Sequence, residues 1–485
     1  MSILTQNLPA LYSDFLNSDF IAQFISPYTS SFSVVDYAQF MSDVSSSFHS
    51  MILHFLKLML EEKDKAFRNL PDRVRRYHVK QTRNRTIITP FGELTYRRTE
   101  YVDKDTLKPF CPVDRAIGLG SRIRYDALVQ AMIYEAYANS NSMIKVGESI
   151  GERIFHHFSI DPNRKQFKIP RQTVYNILRR LGLIHIPASP RPTPSTLYIM
   201  ADEKWIPLQG RPVDQRDHPM KLMVKSTVIF EGVEPVPLKD GSPSHRNRLV
   251  GKYYIAAAKG ENIWTLTLNA LSQRYDLKQV KRIFILGDGA PWIKNGRSVL
   301  KGMGPQVTFA LDRFHFSQAI VRVTNEKELQ ACLFHYAQKS MKSDFFAVLD
   351  SIIKQKENPS QRFLTSVEYL KNHWNDYQTM ITTVQIGCAM EQVISHVFAS
   401  NFTSVPKAYG RANLPRYVDS RIHHQNQLDL RQIWLHSLDC WMKHPEPEIN
   451  LKEDFYDSSV FDAASSVDTY PVHLPYFGKH TNTKF

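Results

Sequence analysis

Apolar residues recur three and four apart in "VVDYAQFMSDVSSSFHSMILHFLKLMLEEKDKAFRN", Val34 to Asn69, and this spacing predicts a helix that ends in charge. Alternation replaces it at Thr86-Ile87-Ile88-Thr89, stops at Pro90-Phe91-Gly92 and resumes at Leu94-Thr95-Tyr96, which predicts a β-hairpin. Helical period returns from Ser121 to His185. There "RYDALVQAMIYEAYA" reads as an amphipathic helix and "SNSMIKVGESIGERIF" as a second, opening on polar capping residues. "IPRQTVYNILRRLGLIH" reads as a third, with Pro170 near its start. "IPASPRPTPSTL", Ile186 to Leu197, is rich in proline and small residues and reads as a linker.

Beyond the linker the pattern changes. "TLYIMADEKWIPLQG", "MKLMVKSTVIFEG" and "LVGKYYIAAAKG" read as strands, and "ENIWTLTLNALSQRYDL" as a helix. "KRIFILGDGA" is a strand, "PWIKNGRSVLKG" a helix, and "QVTFALDRFHF" a strand running into a helix. This β-β-β-α-β-α-β-α order predicts an α/β class with a mixed sheet and helices on its faces. Val321 to Ile386 is almost wholly helical and reads as an insertion, and "GCAMEQVISHVFASNF" resumes as a helix. The tail from about Pro445 is acidic and without period, so an extended or partly disordered segment is expected.

The expected organisation is a helical lead-in at 1–70, for oligomerisation or simply packed on its own domain, then a basic hairpin region at 71–120. A helix-turn-helix-like region at 121–185 and the linker at 186–197 follow. The α/β core occupies 198–320 and 387–412 around the helical insertion at 321–386, and 413–485 forms a C-terminal extension. A chain of 485 residues exceeds one ordinary core, which agrees with several domains.

Charge narrows the partner. A net charge of +14 attracts a polyanion, nucleic acid first and an anionic membrane second, although a basic surface without a partner is the plain alternative. The cluster Arg73, Arg75, Arg76, Lys80, Arg83 and Arg85, interleaved with Tyr77 and His78, is either a phosphate track or a solvated face. In the third helix Arg171, Gln172, Thr173, Tyr175 and Asn176 would face a DNA groove, with Arg179 and Arg180 at its end, if the helical pair is a helix-turn-helix. Cys111, Cys332, Cys388 and Cys440 are far apart, which suits neither a disulfide framework nor a zinc site and suggests a reducing compartment. "MSILTQNLPALYSDFLNSDF" lacks a basic n-region and a long apolar core, so no signal peptide and a cytoplasmic location are expected.

Candidate chemistry rests on carboxylates at strand ends. Asp288 lies between Gly287 and Gly289 after an apolar run, where backbone and carboxylate could approach an ion or phosphate. Asp202 follows the run Leu197 to Ala201. If the two strands are neighbours, the acids share one sheet edge, and two carboxylates so placed repel unless a cation lies between them. Glu391, on a helix crossing the sheet, would complete a set of oxygen ligands for Mg²⁺ or Mn²⁺, with two ions ~3.5–4 Å apart in a phosphoryl-transfer site. Each acid taken singly is equally a cap or an ion-pair partner.

The stretches "LYIMADEKWIPLQG", "RYDLKQVKRIFILGDGAPWIKNG", "LDRFHFSQAI" and "GCAMEQVISHVFA" resemble bacterial insertion-sequence transposases of the DDE class. These are related to the Mutator-like group, in a family formerly uncharacterised and first named from a Listeria-type element. "FGELTYRRTEY" and "RQTVYNILRRLG" match more weakly. The resemblance implies a ribonuclease H-like catalytic domain, with Asp202, Asp288 and Glu391 as metal-binding catalytic residues. It places Asp312-Arg313-Phe314-His315 at the family's Cys- or Asp-x-x-His position, where His315 would touch the scissile phosphate, orient a carboxylate or cap its helix. Trp292 would stack on a flipped base or pack its own short helix, and Lys294 would contact DNA. Gln392 follows Glu391 where the family usually has glycine. The implied partners are transposon terminal inverted repeats, target DNA and a second copy of the chain, on the bacterial nucleoid. A non-catalytic DNA-binding regulator and a metal-dependent nuclease without strand transfer are the alternatives.

Overall fold

The computed structural model describes residues 33–120, 122–140, 142–155, 167–181, 184, 186–208, 221–237, 242–258, 262–384, 386, 409–410 and 413–443. Glu391 and the acidic tail lie outside the described residues. The rest form two compact units, one from 33–184 with 428–443 and one from 186–427.

The first unit opens with helix α1 (Val34–Arg68), fixed by a reciprocal cap in which Ser33 and Asp36 each accept the other's backbone N–H. Its C-terminal half places Leu53, Leu56 and Leu60 against Ile87, Leu94 and Tyr96. A short helix α2 (Arg73–Arg76) leads into strands β1 (Tyr77–Thr89) and β2 (Gly92–Asp103), paired antiparallel from Tyr77 opposite Asp103 to Thr89 opposite Gly92. The hairpin is longer than its alternation predicts. The second half of the basic cluster, Lys80, Arg83 and Arg85, is itself strand, and its mostly exposed polar residues conceal the period of two, while Arg73, Arg75 and Arg76 lie on α2. Strand β3 (Pro109–Phe110) pairs with β2, and helix α3 (Pro112–Ala116) follows.

Helices α4 (Ala127–Ser140), α5 (Met143–Phe155) and α6 (Arg171–Arg180) complete this part of the unit. α4 is not the two-sided helix expected. Val129 to Tyr134, Tyr137 and Ala138 are all buried, as befits a helix enclosed by its neighbours. In α5 a Cβ on Gly147 or Gly151 would stand 2.1 Å from the Ile169 carbonyl or 2.2 Å from that of Phe167. The two glycines therefore let the strand of chain before α6 lie directly on the helix.

The second unit is mixed α/β. Strands β4 (Thr196–Pro207), β5 (Lys221–Phe230), β8 (Tyr253–Ala257), β9 (Arg282–Gly287) and β10 (Gln306–Leu311) form one sheet in the order β10-β9-β4-β5-β8. β4–β5 and β5–β8 are antiparallel, whereas β4–β9 and β9–β10 are parallel. A separate hairpin, β6 (Gly232–Pro237) with β7 (Pro243–Val250), carries no apolar alternation and was not expected from the sequence. Helix α7 (Ile263–Arg274) packs on β5 and β8. Short helices α8 (Pro291–Lys294) and α9 (Gly296–Leu300) join β9 to β10, and α10 (Arg313–Val323) leaves β10.

The expected linker is not free: Ala188 and Leu197 are buried in this unit's core, and the Ala188 N–H donates to Gln273. The helical insertion also shares that core. Its helices α11 (Lys327–Gln338), α12 (Lys342–Lys354) and α13 (Gln361–Thr379) bury Leu333, Phe345, Leu349, Leu370 and Trp374 in the same cluster as Ile285 and Leu311. The stretch from Asn413, expected as one extension, divides between the units. Helix α14 (Leu414–Gln425) belongs to the second, where the Asn426 side chain bonds the Tyr254 backbone in both directions. Helix α15 (Leu430–Lys443) belongs to the first, with Trp434 against Tyr134 and Arg431 paired to Glu135 at 2.7 Å. No described helix is long and apolar enough to cross a membrane.

Candidate functional site

The run Ile283 to Leu286 is buried and drives β9 into the middle of the sheet, so Asp288 emerges at its C-terminal end. Both flanking glycines have a steric cause. A Cβ on Gly287 would lie 2.9 Å from the Ala201 carbonyl oxygen and from the Ile293 side chain. Gly289 has φ +93°, and a Cβ there would meet the His373 ring at 2.4 Å. The close approach read from the sequence is thus to the protein's own chain.

β4 and β9 are parallel neighbours with Met200 opposite Leu286. Two residues further along in each case stand Asp202 and Asp288, so both acids reach the same level, where β9 ends but β4 runs on to Pro207; Asp202 therefore does not end its strand as expected. The Asp288 carboxylate accepts the Ala290 N–H at 2.9 Å, and that of Asp202 accepts the Glu203 N–H at 2.7 Å. Burial pushes Asp202 up to about 6, and the charge of Asp288 adds to this. The Glu203 N–H and nearby His315 act in the opposite direction.

A third carboxylate joins them from β10. Asp312 caps α10 by accepting the Phe314 N–H at 3.2 Å, and its other oxygen bonds His315 Nδ1 at 3.0 Å. The cap is Asp312 rather than His315. That hydrogen bond raises the imidazole's pKa against burial, helped by the charges of Asp312, Asp288 and Asp202. The insertion supplies the outer wall. Tyr369 on α13 donates its hydroxyl to the Asp288 carbonyl at 2.5 Å, and Asp376 accepts from Lys294 at 2.8 Å and is bonded to His373 Nδ1 at 3.0 Å. Tyr369, His373 and Asp376 were not foreseen, because the periodicity of α13 marks only its apolar stripe.

Among the described residues no three His, Cys, Asp or Glu side chains form a ready metal-binding group. Asp202 and Asp288 are nevertheless an oxygen-only pair whose mutual repulsion a hard divalent cation would relieve, so the donor chemistry fits Mg²⁺ or Mn²⁺. Glu391 lies outside the described residues. The Trp292 indole donates to Glu203, and its carbonyl accepts from the Trp264 indole at 2.7 Å, so the ring is tied into the protein.

The residues expected on DNA divide sharply. Arg85 is turned inward onto Asp114 and the Gly120 and Ile123 carbonyls. Arg83 pairs with Glu100, Arg76 with Asp103 at 3.2 Å, and Arg75 approaches Asp72 at 4.0 Å. Arg73 donates to the Arg68 carbonyl at 3.2 Å, whereas Lys80 is exposed without an ion pair. On α6, Arg171, Gln172 and Asn176 are exposed, and the last two bond each other at 2.9 Å. Thr173, Tyr175 and Arg179 are half-buried. Arg180 points inward to the Gly118 carbonyl, Gln130 and Met442, with Trp441 4.5 Å beneath it.

Fold and site together define a two-unit α/β protein with carboxylates on three adjacent strands, at the level where β9 and β10 end. The chain belongs to the Uncharacterised protein family (UPF0236), whose pattern matches residues 35–437. It is similar to UPF0236 protein TTE0402 of Caldanaerobacter subterraneus subsp. tengcongensis, 27% identical over 392 residues that span 78% of this chain and 72% of the relative. A Streptococcus gallolyticus protein described as "UPF0236 protein in vanSb 3'region" is 21% identical over 306 residues, 62% of this chain and 63% of its own. Among solved structures, the Drosophila P element transposase strand transfer complex aligns over 68% of this chain and 94% of that one, at 10% identity and a TM-score of 0.20, a level that defines no common fold.

Proposed function

We propose that this protein is a DNA transposase, cutting the ends of its own element and joining them to target DNA by divalent-metal-dependent phosphoryl transfer. The observation that carries this is the register of β4 and β9, which brings Asp202, within β4, level with Asp288, just past the end of β9. Three antiparallel strands extended by two parallel ones, with acids at the shared edge, support reading the sheet as ribonuclease H-like. The transposase resemblance of the segments around Asp202, Asp288 and Asp312 points the same way.

On this reading Asp202, Asp288 and Glu391 would hold two divalent ions, whose chemistry would be to lower the pKa of an attacking water and stabilise charge on the leaving oxygen. Asp312 keeps His315 basic and oriented, so a protonated ring can donate to a phosphate oxygen. Tyr369 fixes the Asp288 backbone, and Asp376 holds Lys294 beside it. The 3′-hydroxyl freed by cutting attacks the target directly, so no serine or tyrosine nucleophile is required. Joining two ends calls for at least two copies of the chain.

The test is cleavage and joining of a duplex bearing the element's ends in Mg²⁺ or Mn²⁺, with wild type beside Asp202→Asn and Asp288→Asn. Wild type cuts and joins, and each variant binds the duplex while losing about 100-fold or more in both steps. Cutting without joining would make the protein a nuclease. Binding without either reaction in the wild type would overturn the enzyme reading in favour of a regulator.

A further inference from the structure

One face of the hairpin β1–β2 carries the cross-strand pairs Gln81 with Glu100, Arg83 with Arg98 and Arg85 with Tyr96, polar toward the open end and apolar toward Ile87 and Leu94. β3, α3, the segments Leu119–Gly120 and Arg122–Tyr125 and the end of α15 close around that face and leave a groove of about 1370 Å³. Seven basic and three acidic side chains line it, so its lining is strongly positive. Two of the acids are already committed: Asp114 to Arg85 and Arg98, and Glu100 to Arg83 and Arg98. What remains for a ligand is a set of four exposed cations, Lys80, Arg115, Arg122 and Arg124, none in an ion pair among the described residues.

Two independent features bear on what fills the groove. Arg122 is held at φ +65°, a conformation unusual for a side-chain-bearing residue and characteristic of sites where position matters more than backbone comfort. Behind the Gly120 wall, Arg180 is a half-buried cation with only neutral partners among the described residues, and desolvation pushes its pKa down to about 10. An uncompensated positive charge therefore lies under one end of the groove.

The shape selects among polyanions. A groove of about 1370 Å³ accommodates a short stretch of one strand rather than an enclosed duplex. Half-buried Phe110, Tyr125 and Trp441 also line the cavity. Cations for a backbone interleaved with aromatic surfaces for bases are the recognition chemistry of an unpaired strand.

We propose that this groove binds a single-stranded nucleic-acid segment, with phosphates on Lys80, Arg115, Arg122 and Arg124 and bases against Phe110, Tyr125 and Trp441. The proposal deepens the nucleic-acid part of the function above and does not involve the carboxylate site.

The experiment is fluorescence anisotropy of labelled oligo-dT with the full-length protein, using wild type, Arg122→Gln/Arg124→Gln, Lys80→Gln/Arg115→Gln and Asp288→Asn. Wild type binds, and an unlabelled duplex of equal length competes poorly. Each double variant weakens binding about 10-fold or more, and its plot of log affinity against log salt is shallower by about 1.4, two lost single-strand phosphate contacts at ~0.7 each. Asp288→Asn serves only to mark Asp288-dependent cleavage in a parallel reaction. Two variants on different walls separate loss of the groove from loss of folding, which circular dichroism monitors. Wild-type affinity in both double variants, or a duplex that competes as well as the single strand, overturns the proposal. Were that to happen while Asp288-dependent cleavage persists, the groove alone would be rejected and the transposase reading would stand.

Discussion

Asp312 does two things with two oxygens: one caps α10 and the other bonds His315. Since that bond is the largest cause of the raised imidazole pKa, Asp312→Asn is expected to lower the His315 titration midpoint, read from its ring proton shifts in NMR. A histidine whose folded pKa is raised contributes stability fully below its ordinary value, and the contribution fades as pH rises through the folded value. The variant therefore loses most stability on the acid side of that window. Asp288 was legible in the sequence because a buried apolar run rarely ends in a carboxylate without cause. The reason for its glycines was not, since Ala201, Ile293 and His373 come from three remote segments.

Elements with one exposed face show their period, and enclosed ones are found without it. α1, α5 and the helices of the insertion show their apolar stripes, whereas α4, buried on most sides, shows none. Asp126, at the start of α4, accepts the Val129 N–H at 2.7 Å, yet burial pushes its carboxyl up to about 6 from 3.8. The folded state then binds the proton more tightly than the unfolded chain, so the group costs stability as pH rises from about 4 to about 6. Asp126→Asn retains the capping oxygen without the charge. Its melting temperature should exceed that of wild type at pH 7, with the difference vanishing toward pH 4, in thermal denaturation followed by circular dichroism. The β6–β7 hairpin escaped the sequence reading for a different reason: Pro235, Pro237 and Pro243 interrupt any strand pattern.

At the scale of the whole chain, sequence order and spatial grouping disagree most at α15. A helix near the C-terminus fills the core of the N-terminal unit, and no local pattern could announce a contact between Tyr134 and Trp434. Trp434 is fully buried, and its indole N–H has no acceptor among the described residues. Trp434→Ala should destabilise the first unit by about 3–5 kcal/mol. Trp434→Phe should cost much less, because no hydrogen bond is lost. Denaturant unfolding of both variants, with protease cleavage sites mapped to each unit, checks the difference and its confinement to residues 33–184.

The same helix sets a timetable for synthesis. About 250 residues separate Arg180 from Leu430, and at 5–20 residues per second a ribosome needs roughly 12–50 s to make them. Through that interval the N-terminal unit waits with the surface meant for Trp434 uncovered, and it closes only once α15 has been made. A message cut short between the codons for Arg180 and Leu430 would therefore yield a first unit without its closing helix.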